Sequence, residues 1–319
     1  MINKKDAKTL VKKIKGHENI IIVKHQLPDW DAQGSAMGLA HIIKENFENK
    51  NIFVVGDRLN DDKDFLPKKK LTNDFIKSAL VITVDTGNKA RLDFDKYDLA
   101  GDTFKIDHHI DVDKYANNQI VMESAIACTE VVTLWAEMMK LEIPAAGAHN
   151  LYLGLLTDSG RFLFPKTNPV TFRVAARLLE QGADLKKAHD YIFVNDLKNR
   201  KWSNFAFSKM TLSKHGVASI VIKKEDYAGW DLDYNEVKGA LATMSGMHEI
   251  VIWFTVIEME NGQIKVSLRS RDYDVNSVAT KYNGGGHRVA SGASLNSFDE
   301  ISSLTKDLDK LVKNGKEGK

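Results

Sequence analysis

The sequence predicts an α/β protein: a mainly parallel sheet with flanking helices, followed by a smaller α+β domain. Short apolar runs rich in β-branched residues alternate with helical segments over residues 1–182, which is typical of a parallel sheet with helices on its faces. From Thr211 the pattern changes to strand-like runs broken by glycine and polar turns. We therefore expect domains at residues 1–183 and 211–319, joined by a helical connector at residues 184–210.

Composition indicates an ordinary soluble globular protein. The 319 residues are 43% hydrophobic and 28% charged, with a net charge of +2. The longest apolar run, residues 250–257, is far shorter than the roughly 20 residues that span a bilayer, and the N-terminus lacks the apolar core of a signal peptide. Cys128 is the only cysteine, which fits a reducing cytoplasm. The small net charge argues against long duplex nucleic acid as a partner and leaves short anionic ligands open.

The elements of the first domain follow from apolar periodicity. Residues 6–15 form an amphipathic helix, and residues 19–24 form a strand buried on both faces. Pro28 keeps the next segment out of helix, and a helix starts at Gly34 and runs to about Phe47. Further strands are expected at residues 51–55, 79–84 and 103–106, and helices at about 124–140, 146–156 and 168–181.

In the second domain we expect strands at residues 217–223, 248–257 and 263–269. Residues 275–282 suit a helix, which the segment 283–287 then ends. Three consecutive glycines at 284–286 would allow the backbone to approach a ligand and to point N–H groups at a phosphate.

Acidic and imidazole side chains follow the predicted strands of the first domain. In chain order they are His25, Asp29, Asp31, Asp85, Asp107, His108 and His109. Because ligands bind an open parallel sheet beyond the carboxyl ends of its strands, these side chains should crowd into one crevice. Asp158 stands in a similar setting at the end of a predicted helix.

So many carboxylates in one place repel one another unless cations neutralise them. Carboxylate oxygens mixed with a few imidazoles favour manganese or magnesium over tetrahedral zinc. More than four ligands suggests two ions, an arrangement typical of phosphoryl hydrolysis. Taken singly, Asp29 and Asp31 could be turn residues, and Asp85 and Asp158 could simply end their elements. Their joint occurrence favours the metal site.

Together these motifs resemble those of the DHH phosphoesterases. The matching segments are residues 25–35 (HQLPDWDAQGS), Asp85, residues 107–109 (DHH) and residues 157–160 (TDSG). Residues 284–292 (GGGHRVASG) resemble the signature of the DHHA1 domain. The resemblance covers essentially the whole chain. It is strongest to the branch that degrades nanoRNA and dephosphorylates 3′-phosphoadenosine-5′-phosphate, whose relatives hydrolyse linear dinucleotides such as pApA.

The resemblance implies two manganese ions, with Mg²⁺ or Co²⁺ as substitutes. Asp85 would bridge the ions and bring them close enough to generate a bridging hydroxide near neutral pH. The implied ligands are His25, Asp29 and Asp85 for one ion, and Asp31, Asp85, His108 and Asp158 for the other.

The resemblance also implies roles for residues beside the metals. Asp107 would accept a hydrogen bond from an imidazole, His109 would face the substrate, and Arg161 would clamp a phosphate. The implied substrate-binding residues are Arg269, Ser270, Gly284, Gly285, Gly286 and His287.

We therefore expect a manganese-dependent phosphoesterase that hydrolyses nanoRNA and linear dinucleotides to mononucleotides, and 3′-phosphoadenosine-5′-phosphate to AMP. One alternative is a manganese inorganic pyrophosphatase, which shares the first-domain motifs, although the glycine-rich segment at 284–287 argues against it. A single-strand DNA exonuclease is a weaker alternative. A non-catalytic nucleotide-binding regulatory module is the alternative from another class. The sequence leaves a homodimer open.

Overall fold

The computed structural model describes residues 2–60, 63–194 and 196–317, and over these ranges the chain forms two compact units that divide after Val194. Within the described residues, the sheet of the first unit has five parallel strands in the order β2-β1-β3-β4-β5. They are β1 Asn19–Val23, β2 Asn51–Val54, β3 Leu80–Val84, β4 Asp102–Asp107 and β5 Asn118–Val121.

Helices cover the sheet of the first unit. They are α1 Lys4–Gly16, α2 Trp30–Asn46, α3 Asn73–Ser78, α4 Cys128–Met139, α5 Ala145–Asp158, α6 Pro169–Glu180 and α7 Leu185–Phe193. Alternate residues of β1 enter two different cores, because successive side chains of a strand point to opposite faces. Ile20 and Ile22 belong to the larger core with α2, α4 and α5, whereas Ile21 and Val23 belong to a smaller one.

The parallel sheet and the main helices are as predicted, with corrections at several boundaries. Helix α2 begins at Trp30 rather than at Gly34, because the side chain of Asp29 caps it by accepting from the N–H groups of Asp31 and Ala32. Helix α4 begins at Cys128 rather than near residue 124. Strand β5 was not predicted, since only one of its four residues is buried and its first two are polar.

The described residues of the second unit form a six-stranded sheet in the order β10-β11-β9-β8-β7-β6, in which β7 and β8 pair parallel and the other neighbours antiparallel. The strands are β6 Thr211–Leu212, β7 Val217–Ile222, β8 Ile252–Glu258, β9 Ile264–Ser270, β10 Gly285–His287 and β11 Ala290–Leu295. The helices are α8 Leu197–Ser208, α9 Lys224–Tyr227, α10 Tyr234–Lys238, α11 Asn276–Ala279 and α12 Glu300–Glu317.

The sheet of the second unit also has two cores. One contains Leu304 and Leu308 of α12, and the other contains Trp202 of α8 and Val237 of α10. The boundary at residue 248 was wrong, because β8 begins at Ile252. The helix expected at 275–282 is the short α11 followed by a 3₁₀ turn. Residues 285–287, expected to end that helix, form an edge strand paired with β11.

The segment 184–210 contains two helices, and the division of the chain falls between them. Ala188 of α7 is buried in the core of the first unit, whereas Trp202 of α8 is buried in the second. No helix in the described part of the chain is long and apolar enough to cross a membrane.

Helices α2 and α5 pack closely because glycines of α2 lie in their interface. A Cβ atom at Gly34 would clash with the backbone carbonyl of Asn150 in α5. We predict that Gly34→Ala lowers the free energy of unfolding by about 1–3 kcal/mol, the usual cost of overpacking. The measurement is urea denaturation of the EDTA-treated protein. Gly16→Ala is the matched control, since a Cβ there meets nothing within 4 Å. Equal stability of the Gly34→Ala variant and the wild type would contradict the prediction.

Candidate functional site

Parallel strand order brings the predicted donors of the first unit together. His25 follows β1, Asp85 follows β3, and His108 follows β4, so all three lie at the carboxyl edge of the sheet. The carboxylate of Asp85 lies between the two imidazoles. Its Oδ2 is 3.6 Å from Nε2 of His25, and its Oδ1 is 3.2 Å from Nε2 of His108.

Among the described residues, three overlapping groups of donor atoms lie at this edge of the sheet. The first is His25, Asp29 and Asp85, the second is Asp31, His108 and Asp158, and the third is Asp85, His108 and His109, with the donor atoms of each group within 4.8 Å of one another. In the second group, Nε2 of His108 lies 3.7 Å from Oδ2 of Asp31 and 3.6 Å from Oδ2 of Asp158. The cluster therefore brings together the side chains that the sequence predicted as metal ligands.

The N-terminus of α4 holds the carboxylate of Asp31. The backbone N–H groups of Cys128 and Thr129 donate to its Oδ2 and Oδ1 at 2.6 and 2.9 Å, and the Thr129 hydroxyl donates to Oδ1 at 2.8 Å. Oδ1 accepts two of these three bonds, and Oδ2 accepts one and faces Nε2 of His108 at 3.7 Å. Asp31 is thus oriented to offer Oδ2 to the cluster.

Asp107 and His109 form a second oriented pair. Oδ1 of Asp107 accepts from the backbone N–H groups of His108 and His109 at 2.8 and 3.2 Å, and lies 2.8 Å from Nδ1 of His109. Since Nδ1 of His109 bonds to this carboxylate, Nε2 is the ring nitrogen left to contact a ligand. The side chain of His109 is 42% exposed, whereas that of His108 is 11% exposed.

The cluster carries excess negative charge, which shifts the pKa values of its members. Burial by itself lowers the pKa of His25 and of His108, but the surrounding carboxylates outweigh it and raise both to about 10. Burial and the charge of Asp85 raise the pKa of Asp31 well above its usual value. For Asp158, burial is the main cause of a pKa raised to about 6, with repulsion from Asp85 adding to it.

The donor set fits divalent cations. Oδ1 of Asp85 is buried and accepts no hydrogen bond among the described residues. The imidazole of His108 faces this oxygen at 3.2 Å. A buried carboxylate oxygen that accepts no hydrogen bond is costly, and a bound cation would satisfy it. Carboxylate oxygens with a few imidazole nitrogens suit manganese or magnesium. The backbone of Asp85 has φ 50°, a strained conformation of the kind that functional sites often retain.

The residues predicted to bind phosphate or substrate are not members of the donor groups around Asp85. The guanidinium of Arg161 stacks over the ring of Phe193, 5.0 Å from its centroid. Arg269 on β9 is half-buried, which lowers its pKa, and Ala290 lies opposite it on β11. Ala290 in turn pairs with the exposed His287 on edge strand β10.

Ser270 differs from Arg269 because adjacent residues of a strand face opposite sides of the sheet. Its side chain is buried, and its hydroxyl donates to the carbonyl of Tyr273 at 2.6 Å. The structure therefore uses this hydroxyl inside the unit. Gly285 and Gly286 are exposed on β10, and Gly284 directly precedes it.

Comparison with known proteins identifies the family. Residues 19–156 match the N-terminal domain of the DHH family, and residues 215–314 match the DHHA1 domain. The bifunctional oligoribonuclease and PAP phosphatase NrnA of Bacillus subtilis is 34% identical over 307 residues, covering 95% of this chain and 98% of that protein. This chain belongs to the DHH family.

Other DHH proteins extend the comparison. The probable bifunctional oligoribonuclease and PAP phosphatase NrnA of Streptococcus mutans is 32% identical over 96% of this chain and 99% of that protein. An exopolyphosphatase-related protein from Bacteroides fragilis has the same fold, with a TM-score of 0.87 at 23% identity over 98% of this chain and 99% of that one. With its DHH domain and these relatives, the chain is a hydrolase.

Sequence reasoning missed the residues that orient the cluster. Thr129 is one of two threonines in α4, and Tyr115 lies in a loop ten residues past Lys105. Neither position shows a pattern that marks a functional side chain. Only their hydrogen bonds to Asp31 and to the turn after Asp85 reveal them.

We predict that Thr129→Val lowers the free energy of unfolding by about 1–3 kcal/mol, because the buried Asp31 loses one of its donors. Thr133→Val is the matched control on the same helix, where the hydroxyl donates to the carbonyl of Thr129 and does not contact Asp31. Urea denaturation of the metal-stripped proteins measures both. An equal fall in the free energy of unfolding in the two variants would show that the hydroxyl bond to Asp31 stabilises the protein no more than the hydroxyl bond of Thr133 does.

Proposed function

We propose that this chain is a divalent-cation-dependent phosphoesterase that hydrolyses short oligoribonucleotides to mononucleotides and 3′-phosphoadenosine-5′-phosphate (PAP) to AMP. The observation that carries the proposal is Asp85, whose two oxygens face His25 and His108 at 3.6 and 3.2 Å. A carboxylate between two donor groups is the arrangement that a two-metal hydrolytic site needs. The substrate class is supported by the names of the relatives, bifunctional oligoribonuclease and PAP phosphatase.

We propose two manganese ions in the site, with Mg²⁺ or Co²⁺ as substitutes, because the donors are carboxylate oxygens and imidazole nitrogens. Bound divalent cations supply two kinds of chemistry here, the activation of water and the neutralisation of charge on the phosphoryl group. The proposed ligands are His25, Asp29 and Asp85 for one ion, and Asp31, Asp85, His108 and Asp158 for the other.

The proton chemistry is assigned to His109. Its Nδ1 lies against Asp107 at 2.8 Å, which fixes the orientation of the ring. We propose that Nε2 of His109 donates to a phosphate oxygen or to the leaving oxygen. Asp107 contributes by orienting the ring. Burial raises the pKa of Asp107, but pairing with His109 outweighs it and lowers that pKa below its usual value.

Phosphate binding is assigned to arginines. A guanidinium stacked on an aromatic ring keeps its N–H edges available, so Arg161 over Phe193 can still clamp a phosphate. In the second unit we propose Arg269 and His287 as side-chain contacts, and Gly284, Gly285 and Gly286 as main-chain contacts. Ser270 is left out because its hydroxyl is bonded to Tyr273.

We propose linear dinucleotides such as pApA as further substrates, since they combine the phosphodiester of RNA with a terminal phosphate. A short substrate would place its scissile phosphate at the metal cluster and its terminal phosphate at Arg161, which belongs to the same unit. The rate of hydrolysis should therefore fall as the oligonucleotide lengthens.

The test is product release by the manganese-loaded protein from PAP, pApA, a 5-mer RNA, a 24-mer RNA and pyrophosphate. We expect mononucleotide release from the short substrates. In Asp85→Asn the rate should fall at least about a hundredfold, because loss of a residue that merely contacts a metal ligand already lowers activity by about 10–100-fold. Asp74→Asn, an exposed aspartate on α3, is the matched control and should retain activity within about twofold.

Several outcomes would contradict the proposal. Hydrolysis of pyrophosphate alone would make the chain an inorganic pyrophosphatase. Equal rates on the 24-mer and on pApA would contradict the preference for short substrates. Tight PAP binding without turnover would favour a regulatory module.

We predict that Arg269→Gln raises KM for PAP by about tenfold with little change in kcat, since a charge-assisted hydrogen bond contributes about 1.5–3 kcal/mol. Lys281→Gln, an exposed lysine of the same unit, is the control and should leave KM unchanged. Steady-state kinetics with manganese measures both. A fall in kcat at constant KM would place Arg269 in the chemical step instead of in binding.

A further inference from the structure

The turn after β3 presents Asp85 in a strained conformation, with φ 50°. Such a backbone persists only where surrounding contacts hold it. On the strand side, the backbone N–H of Asp85 donates to the carbonyl of Ile106 at 3.0 Å, and the hydroxyl of Thr86 donates to the carbonyl of Val84 at 2.9 Å. The far side of the turn is held by the loop that follows β4.

Tyr115, in that loop, contacts the turn through its hydroxyl. The hydroxyl donates to the carbonyl of Thr86 at 2.6 Å and lies 3.1 Å from the hydroxyl of Thr83, the residue two positions before Asp85. One phenol group thus bonds to the chain on both sides of Asp85. Asp113 adds a second link, since its Oδ2 accepts from the backbone N–H of Lys89 at 3.0 Å.

The loop itself is fixed to the sheet, so it can serve as a support. Lys105 of β4 is fully buried, and its ammonium donates to Oδ1 of Asp111 at 2.8 Å and to the carbonyl of Asp113 at 3.0 Å. The same ammonium lies 5.2 Å from the centroid of the Tyr115 ring. Gln119 of β5 donates to the other oxygen of Asp111 at 2.6 Å.

The turn and the loop also touch at the cluster. A Cβ atom at Gly87 would lie 3.1 Å from Cβ of His109, so the turn already packs against this imidazole with little room to spare. Because His108 and His109 begin the loop and Asp85 begins the turn, the bond from Tyr115 joins the two segments that carry these groups. Displacing the turn would change the separation between Asp85 and His108.

We propose that Tyr115 is a positioning residue for the metal site: its hydroxyl holds the turn at residues 85–87 against the loop that carries His108 and His109. The inference rests on the proposed metal site, which Tyr115 itself does not contact through any of its described bonds. Tyr115 would therefore support the metal site without being a metal ligand, because its side chain carries no carboxylate, imidazole or charge.

The test compares Tyr115→Phe with Tyr97→Phe in metal-stripped protein. Tyr97 is a matched control because its ring packs edge-on against Tyr115 and its hydroxyl donates to the carbonyl of Tyr115 at 3.3 Å, away from the turn. Hydrogen exchange of residues 84–90 and calorimetric Mn²⁺ affinity are measured. We expect faster exchange and about tenfold weaker Mn²⁺ binding in Tyr115→Phe, the usual loss for an outer partner of a metal site. Tyr97→Phe should stay within about twofold of wild type in both.

Three results would overturn the inference. The first is hydrogen exchange and Mn²⁺ affinity that both stay within about twofold of wild type in Tyr115→Phe. The second is faster exchange in that variant with unchanged Mn²⁺ affinity. The third is an equal effect in Tyr115→Phe and Tyr97→Phe. Failure of the proposed metal site would appear differently, as a wild-type protein that binds no Mn²⁺, and unchanged exchange would then still refute the role of Tyr115 in holding the turn. If Tyr115→Phe does not fold, the wild-type protein decides: the hydroxyl proton of Tyr115, bonded to the carbonyl of Thr86, should exchange slowly with water in the NMR spectrum, and exchange as fast as that of an exposed tyrosine refutes the inference.

Discussion

Asp85 is 2% exposed, and its carboxylate repels those of the buried Asp31 and the partly buried Asp158. Bringing like charges together out of water is unfavourable unless positive charge accompanies them. In this cluster the two flanking imidazoles can provide part of it: burial lowers the pKa of His25 and of His108, but the carboxylates around them raise both. The same negative potential attracts divalent cations. The repulsion between carboxylates in the metal-free site and its proposed affinity for metal therefore have one origin.

Much of the first unit serves to keep this cluster in place. The N-terminus of α4 supplies two backbone N–H groups and the hydroxyl of Thr129 to Asp31. The loop after β4 supports the turn of Asp85 through Tyr115, and that loop is in turn anchored by the buried ammonium of Lys105. None of these partners faces the substrate in the proposed mechanism. They maintain donor positions that mutual repulsion would otherwise spread apart.

Fold and family carry different weight for function. The Bacteroides fragilis structure shares the fold at a TM-score of 0.87, but at 23% identity it indicates architecture alone. The two domain matches and the similarity to NrnA over 95% of the chain place it among DHH hydrolases. The reaction proposed for this chain rests in addition on the geometry of its own cluster, in which each predicted ligand lies within reach of another.

The sequence by itself determined the parallel sheet of the first unit and the convergence of His25, Asp85 and His108, because β-branched runs predict strands and parallel strands end at one edge. It did not determine β5, whose first two residues are polar and of which only one residue is buried, or the start of α2, which depends on a cap. The tertiary structure alone decided which groups orient the ligands. Thr129 and Tyr115 act through hydrogen bonds to residues distant in sequence, Asp31 for Thr129 and Thr83 and Thr86 for Tyr115, and no local pattern encodes such contacts.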